Sequence, residues 1–134
     1  MAALTITAAN VLKGSNATLV NGTAGATITA GQLVYLDSAT NTYKLTDSDV
    51  VAAASAAGIA LHGSLANQPL QILAAGPITV GATMTAGVVY YASPTAGGIG
   101  PVADLVATNR SIVVGVATST TVLNVQIVDS GVVL

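Results

Sequence analysis

The chain carries few side chains capable of chemistry, and their spacing gathers none of them into a reactive group. His62 is the only histidine and sits in Ala60-Leu61-His62-Gly63. A catalytic imidazole needs a partner that orients it and surroundings that tune it. No Cys, Glu or clustered carboxylate stands near His62 in sequence, so an exposed or locally hydrogen-bonded ring is expected. All five acidic residues are Asp, and Asp47 and Asp49 form the one close pair. Asp-Ser-Asp lacks the further oxygen ligands and terminal Glu of a calcium loop, and carboxylate-pair hydrolysis of glycosides would rest on Asp alone. Solvated loop acids are the simpler reading. No Gly-x-Ser-x-Gly elbow occurs. Gly97-Gly98-Ile99-Gly100 is not followed by Lys-Ser/Thr and opens no helix, so it reads as a hairpin turn and not as a phosphate cradle. Tyr35, Tyr90 and Tyr91 fall at equivalent strand positions; stacking on a ligand is one use, and packing in a core or interface with the hydroxyl at the rim is the commoner one. The inventory predicts no enzyme, with no catalytic, cofactor-binding or metal-binding residue and no cofactor.

The elements that would position these residues are built from an unusual composition. Of the 134 residues, 52% are hydrophobic and 6% charged, against about 25% charged in an ordinary soluble domain. Three basic and five acidic side chains cannot solvate the exterior, so other subunits or a larger assembly are expected to cover part of it. Lys13, Lys44 and Arg110 are isolated in sequence, which argues against nucleic acid, whose phosphates require several clustered cations. Cysteine is absent, which removes disulfides and thiolate metal sites. The first ten residues have no basic region and no sustained apolar core, so a secretory signal is not expected. The Asn16-Ala17-Thr18 and Asn21-Gly22-Thr23 sequons then read as accidents of a Thr/Asn-rich stretch. The apolar runs at 50–61 and 69–92 are too short, or too broken by Gln, Pro, Thr and Gly, for a spanning helix. Four tyrosines are too few for the girdles of an outer-membrane barrel. No membrane partner is expected.

A duplication organises the chain. Gly25-Ala26-Thr27-Ile28-Thr29-Ala30-Gly31 returns as Gly81-Ala82-Thr83-Met84-Thr85-Ala86-Gly87 with one change. Gln32-Leu33-Val34-Tyr35 then stands opposite Val88-Val89-Tyr90-Tyr91, Gly58-Ile59-Ala60 opposite Gly115-Val116-Ala117, and Gln71-Ile72-Leu73 opposite Gln126-Ile127-Val128. Two copies are too few for a solenoid, and the length suits one domain. Val, Ile, Thr and Tyr favour strands. The fold expected is all-β, a small barrel or sandwich of two tandem pseudo-symmetric units at about 25–80 and 81–134. Residues 1–24 are expected to form an extended arm or a first strand.

In detail, Ala30-Gly31 signals a turn, 33–36 and 42–45 a hairpin, and 88–92 and 99–102 its repeat. Strands are expected at 27–29, 58–61, 70–74, 112–118 and 122–128, with Gly76-Pro77, Gly81 and Gly100-Pro101 as punctuation. Asn124 and Gln126 alternate with Leu123, Val125 and Ile127, giving one dry and one wet face. The stretches 46–57 and 103–114 each allow a short helical turn, capped by Asp47 or Asp104 respectively, and the run 50–57 has helix-forming residues without an amphipathic period, which allows at most a short helix.

The progression Thr29-Ala30-Gly31-Gln32-Leu33-Val34-Tyr35-Leu36-Asp37, the return through Tyr43-Lys44-Leu45, then Ala57-Gly58-Ile59-Ala60-Leu61 and Gln71-Ile72-Leu73, resembles the small capsid decoration (cement) proteins of tailed bacteriophages. The same progression recurs from Thr85 through Val114-Gly115-Val116-Ala117 to Val125-Gln126-Ile127-Val128. The resemblance implies a compact β-barrel-like subunit, a homotrimer, on the outside of the virion's capsid. Its partner there would be the major capsid protein, whose neighbouring copies it ties together, after assembly in the host cytoplasm. It carries over no catalytic residue. Two other readings stay open: a β module of a phage fibre or tail, and a carbohydrate-binding β domain, against which the lack of Trp, Phe and Glu weighs.

Overall fold

The computed structural model describes residues 4, 6–48, 55–101, 105 and 109–133. Among the described residues, a 3-10 turn at Ala8–Asn10 leads into ten strands: β1 (Leu12–Lys13), β2 (Thr18–Thr23), β3 (Leu33–Asp37), β4 (Thr42–Leu45), β5 (Gly58–Ala60), β6 (Pro69–Thr79), β7 (Val89–Ala92), β8 (Ile99–Pro101), β9 (Arg110–Ala117) and β10 (Val122–Val133). The strands form a single antiparallel sheet in the order β4-β3-β5-β6-β10-β9-β7-β8, with β1 and β2 both paired to β6. The fold is all-β, as the composition requires, and the sheet curls into a half-barrel. The curl returns the end of β2 to β4, where Ala24 bridges Tyr43 and the Gly25 N–H donates to the Tyr43 carbonyl at 2.7 Å.

The strand order reads alike from both ends, β4-β3-β5-β6 against β8-β7-β9-β10. The hydrogen bonds repeat as well. Gly31 N–H donates to Ala60 O (2.8 Å) and Gly87 N–H to Ala117 O (2.7 Å); Ala60 N–H donates to Gln32 O (2.9 Å) and Ala117 N–H to Val88 O (3.0 Å). The repeated phrase therefore encodes one turn, used twice. Gln32 N–H closes it on Thr29 O and Val88 N–H on Thr85 O, with Gly31 at φ +88° and Gly87 at +84°. A positive φ at the third residue makes this a type II turn, where glycine is the natural occupant. Ile28 and Met84, the one mismatch in the phrase, are both buried anchors. Gly87→Ala, with open space for its Cβ, is expected to cost about 1 kcal/mol of backbone strain. Gly31→Ala is expected to cost more, because its Cβ also lies 2.5 Å from Ile6; paired urea unfolding curves check the order.

Two expectations are revised, and a third falls mainly outside the described residues. Gly76-Pro77 does not end a strand but lies inside β6. Gly76 takes φ +105°, which turns the strand without stopping it. Pro77 has no N–H to leave unpaired, and its carbonyl accepts from the Gly14 N–H at 2.8 Å. The strand expected at 27–29 is only a bridge, in which Ile28 and Ser64 exchange two bonds of 2.8 Å. The helix expected at 50–57 falls mainly on residues outside the described set, and 55–57 are not helical; the Asp104 cap lies outside it too.

The bend divides the work of β6. Its first half pairs with β2 on one side and β5 on the other (Val20↔Ile72, Ala60↔Ile72), and its second half pairs with β1 and β10 (Leu12↔Thr79, Val122↔Thr79). In the second unit, the end of β6 holds the place that β2 holds in the first: each runs directly into the repeated phrase, through buried Ala24 or Val80. The structural equivalence thus reaches one strand ahead of the phrase, and a single long strand belongs to both units.

Burial follows the same division. Ala24, Ile28, Val34, Tyr43, Leu70 and Ile72 fill the inside of the first unit. Their counterparts Val80, Met84, Tyr90, Ile99 and Val125 belong to a larger core, which also takes in Leu33, Ile59 and Leu73 from the opposite face of the first unit's strands. These three residues are completely buried, each 0% exposed. The second unit is packed onto the back of the first.

Candidate functional site

His62 is exposed and follows directly from β5 and Leu61. The backbone N–H of Gln71 donates to Nε2 at 3.0 Å, which places the ring proton on Nδ1, where it donates to the Gly63 carbonyl at 2.9 Å. Ser64 Oγ stands 3.5 Å from Nδ1, but its own hydrogen goes to the Pro69 carbonyl at 2.6 Å. With its hydrogen committed to Pro69, Ser64 Oγ faces the Nδ1–H as an acceptor, and in this tautomer no ring lone pair points at the serine. The imidazole's task is structural, closing the mouth of the β5–β6 hairpin. Ser119 does the same in the second unit, its Oγ accepting from the N–H groups of Thr121 (3.2 Å) and Val122 (3.1 Å).

Among the described residues, the acidic side chains do not converge. Asp37 pairs with Lys44 at 2.7 Å across the first hairpin and accepts from the Ala39 N–H at 3.0 Å. The hydrogen bond from Lys44, then that from Ala39, holds the Asp37 carboxyl below its ordinary range, and the bond to Asp37 holds the Lys44 ammonium above its own. The lowered carboxyl stabilises the fold above its unfolded pKa, and that contribution is lost as pH falls through the folded value. The raised ammonium stabilises it below its unfolded pKa and loses that contribution as pH rises through the folded one. Between about pH 5 and 9 the pair is constant. Both groups face solvent, where such pairs are screened and weak. Lys44→Met is therefore expected to leave the melting midpoint near wild type at neutral pH. Melting curves of the two proteins should then draw together in acid, and a wide gap at neutral pH would show the pair to be stronger than its exposure allows.

Asp49 lies outside the described residues, so the Asp47/Asp49 pair does too. Among the described residues, no three His, Cys, Asp or Glu side chains lie close enough to share a metal. The glycine run is a turn, as its composition predicts. Ser93 N–H donates to Gly98 O (3.1 Å) and Gly98 N–H to Thr95 O (2.9 Å). Gly97 then docks on the first unit: Leu33 N–H donates to its carbonyl at 2.9 Å, and its own N–H donates to Thr46 O at 2.6 Å. These N–H groups are committed and do not cradle an anion. The two hairpin tips thus differ in use. The first, with Asp37 and Lys44, faces water, and the second, built from Gly and small residues, is a joint between the units.

Tyr90 is buried with its hydroxyl accepting from the Thr85 N–H at 3.0 Å, and Tyr43 is buried in the first unit's core. Tyr35 and Tyr91 are half-exposed. Three surface depressions among the described residues, of about 210 to 270 Å³, are lined by Thr, Gly, Ala, Ser, Asn, Gln and aliphatic side chains without a titratable group. They fall below the several hundred Å³ usual for a small-molecule site. No helix among the described residues is long and apolar enough to cross a membrane.

What the surface does offer is apolar contact area. Leu12 is 64% exposed, Leu65 58% and Val128 51%, with Leu36, Val116 and Val20 less so. The strand alternation does not single out Val116 and Val128, because whether an outward valine is covered depends on what stacks upon it. No protein-family model matches the chain, and no curated protein matches it at a significant level.

Proposed function

We propose that this chain is a structural protein of a tailed-phage virion, a trimer that binds the outside of the assembled capsid and stabilises it by bridging major capsid protein subunits. The observation that carries the reading is the pairing of a doubled, tightly packed β scaffold with a charge-poor surface bearing exposed Leu12, Leu36, Leu65, Val116 and Val128. Such side chains mark contact sites. The resemblance of the duplicated strand phrases to capsid decoration proteins supplies the kind of contact.

The physics of the role asks for complementary surface and no reaction. A protein that binds the assembled shell and not its dissociated subunits stabilises the shell by mass action, about 2.7 kcal/mol per site at a free concentration 100 times Kd. The test is electron microscopy of particles of the phage that encodes the chain, with and without its gene. Protrusions on the outer shell that vanish with the gene are the expected result. Shells that look identical, with the protein found in tail or fibre density, would replace this reading with that of a fibre or tail module.

A further inference from the structure

We infer that the second unit has a strand-accepting seam and that residues 4–7 are its exchangeable occupant, a strap that an extended segment with apolar side chains two residues apart can replace. The first unit shows how the repeat closes when nothing is inserted. Ala24 bridges Tyr43, and the Gly25 N–H donates to the Tyr43 carbonyl of β4 at 2.7 Å. Cross-strand register makes Ile99 of β8 the counterpart of Tyr43, since Tyr35 lies opposite Lys44 and Tyr91 opposite Gly100. The repeated phrase makes Gly81 the counterpart of Gly25. In the second unit these two positions are joined through the strap: the Leu4 N–H donates to the Ile99 carbonyl at 2.7 Å, and the Thr7 N–H donates to the Gly81 carbonyl at 2.9 Å. N–H groups three residues apart in an extended chain point to opposite edges. The strap therefore bonds β8 on one side and the chain leaving β6 on the other, as an inserted strand does.

The two glycines report the same exchange of neighbours. A Cβ on Gly25 would press on Thr42 of β4, and one on Gly81 would press on the Thr7 carbonyl. Each glycine leaves room for what passes beside it, β4 in one unit and the strap in the other. The manner of holding decides what can bind. Backbone bonds grip a strand without regard to its sequence, and pockets for alternate side chains supply the selectivity. Leu4 and Ile6 are half-buried and pack on the larger core, with Ile6 also lying over Gly31. The depression of about 210 Å³ beside them is lined by Thr29, Gln32, Thr95 and small residues, without a charged group. The ligand that fits is an uncharged extended peptide with aliphatic side chains at two-residue spacing. Among the described residues, two backbone bonds and two half-buried side chains hold the strap, and a segment with so few contacts opens well below the free energy of global unfolding. Buried Val11 anchors the chain behind it, so the strap can leave without loosening β1.

The inference concerns the free chain and stands apart from the virion role. Its test is peptide exchange on the full chain. A fluorescently labelled peptide of residues 2–11 is titrated into the wild type, into Ile6→Asp, which sets a carboxylate against the apolar seam, and into Thr7→Pro, which removes the N–H that bonds Gly81 without adding charge. Fluorescence anisotropy is expected to give a Kd of about 100 µM or tighter for both variants. Binding to the wild type is expected to be weaker by about 10-fold or more, because its own strap holds the seam. A peptide carrying the Ile6→Asp change is expected not to bind. In the wild type, the amides of Leu4 and Thr7 should exchange with solvent faster than that of Val125 in β10. Folded variants that bind no peptide, a wild type that binds as tightly as the variants, an Asp-bearing peptide that binds as well as the original, or Leu4 and Thr7 amides that exchange only on global unfolding would each overturn the inference. Loss of the β-sheet circular dichroism in both variants would overturn it too, by showing that the fold cannot form without the strap.

Discussion

Ile59→Ala is expected to cost about 2–5 kcal/mol of stability, while Val116→Ala, at the matching position of the second unit, is expected to cost less than about 0.5 kcal/mol in dilute protein. Ile59 is 0% exposed, locked between Leu33 and Leu73 and covered by the second unit. Truncation there removes the transfer free energy of the lost carbons and leaves a cavity that rigid flanking strands cannot close. Val116 is 40% exposed in the single chain, so little burial is lost. A loss of about 3 kcal/mol corresponds to a melting midpoint lower by about 10 °C in a chain of this size. Urea unfolding of both variants decides the matter, and equal losses at the two sites would mean that the units pack independently of each other.

The second large effect is expected at two glycines that hold the same place in the two units. Gly58→Ala would put a Cβ 2.5 Å from the Leu73 carbonyl oxygen, and Gly115→Ala would press one against the carbonyl of Asn124. In both cases the obstacle is backbone of the neighbouring strand, which cannot swing aside as a flexible side chain would. Each substitution is expected to cost about 3 kcal/mol by forcing β5 from β6 or β9 from β10. Gly63→Ala is the control: its Cβ would rest 3.5 Å from the Ile28 carbonyl, an ordinary contact, and a change within about 0.5 kcal/mol is expected. Thermal melts of the three proteins suffice. Tolerance of alanine at both Gly58 and Gly115 would place the strands further apart than described.

Much of this architecture is legible in the residues. Thr-Ala-Gly marks a type II turn because only the glycine enters positive φ cheaply, and its recurrence announces the duplication before any coordinate is known. The alternation around Asn124 and Gln126 states which way β10 faces, and the lone His62 without a partner reads correctly as a local hydrogen-bonding group. What stays hidden is whatever depends on distant chain. Gly76-Pro77 looks like a stop because that dipeptide usually ends a strand; it lies mid-strand because two units need the same strand, which no local rule reports. His62 caps the amide of Gln71, nine residues on, through a loop whose closure is tertiary. Gly58-Ile59-Ala60 and Gly115-Val116-Ala117 are nearly the same words, yet Ile59 is sealed and Val116 open. Stacking order, and not local pattern, separates them.

The strand common to both units has a consequence for the history of the molecule. While two duplicated segments each own all their walls, either can be deleted and the survivor still folds. Once Pro69–Thr79 serves as the last wall of one and the first wall of the other, removing either half strips its neighbour of a border. The duplication then works as a ratchet: descendants can diverge at the charged tip or the open face, but cannot return to a single copy without first inventing a replacement strand.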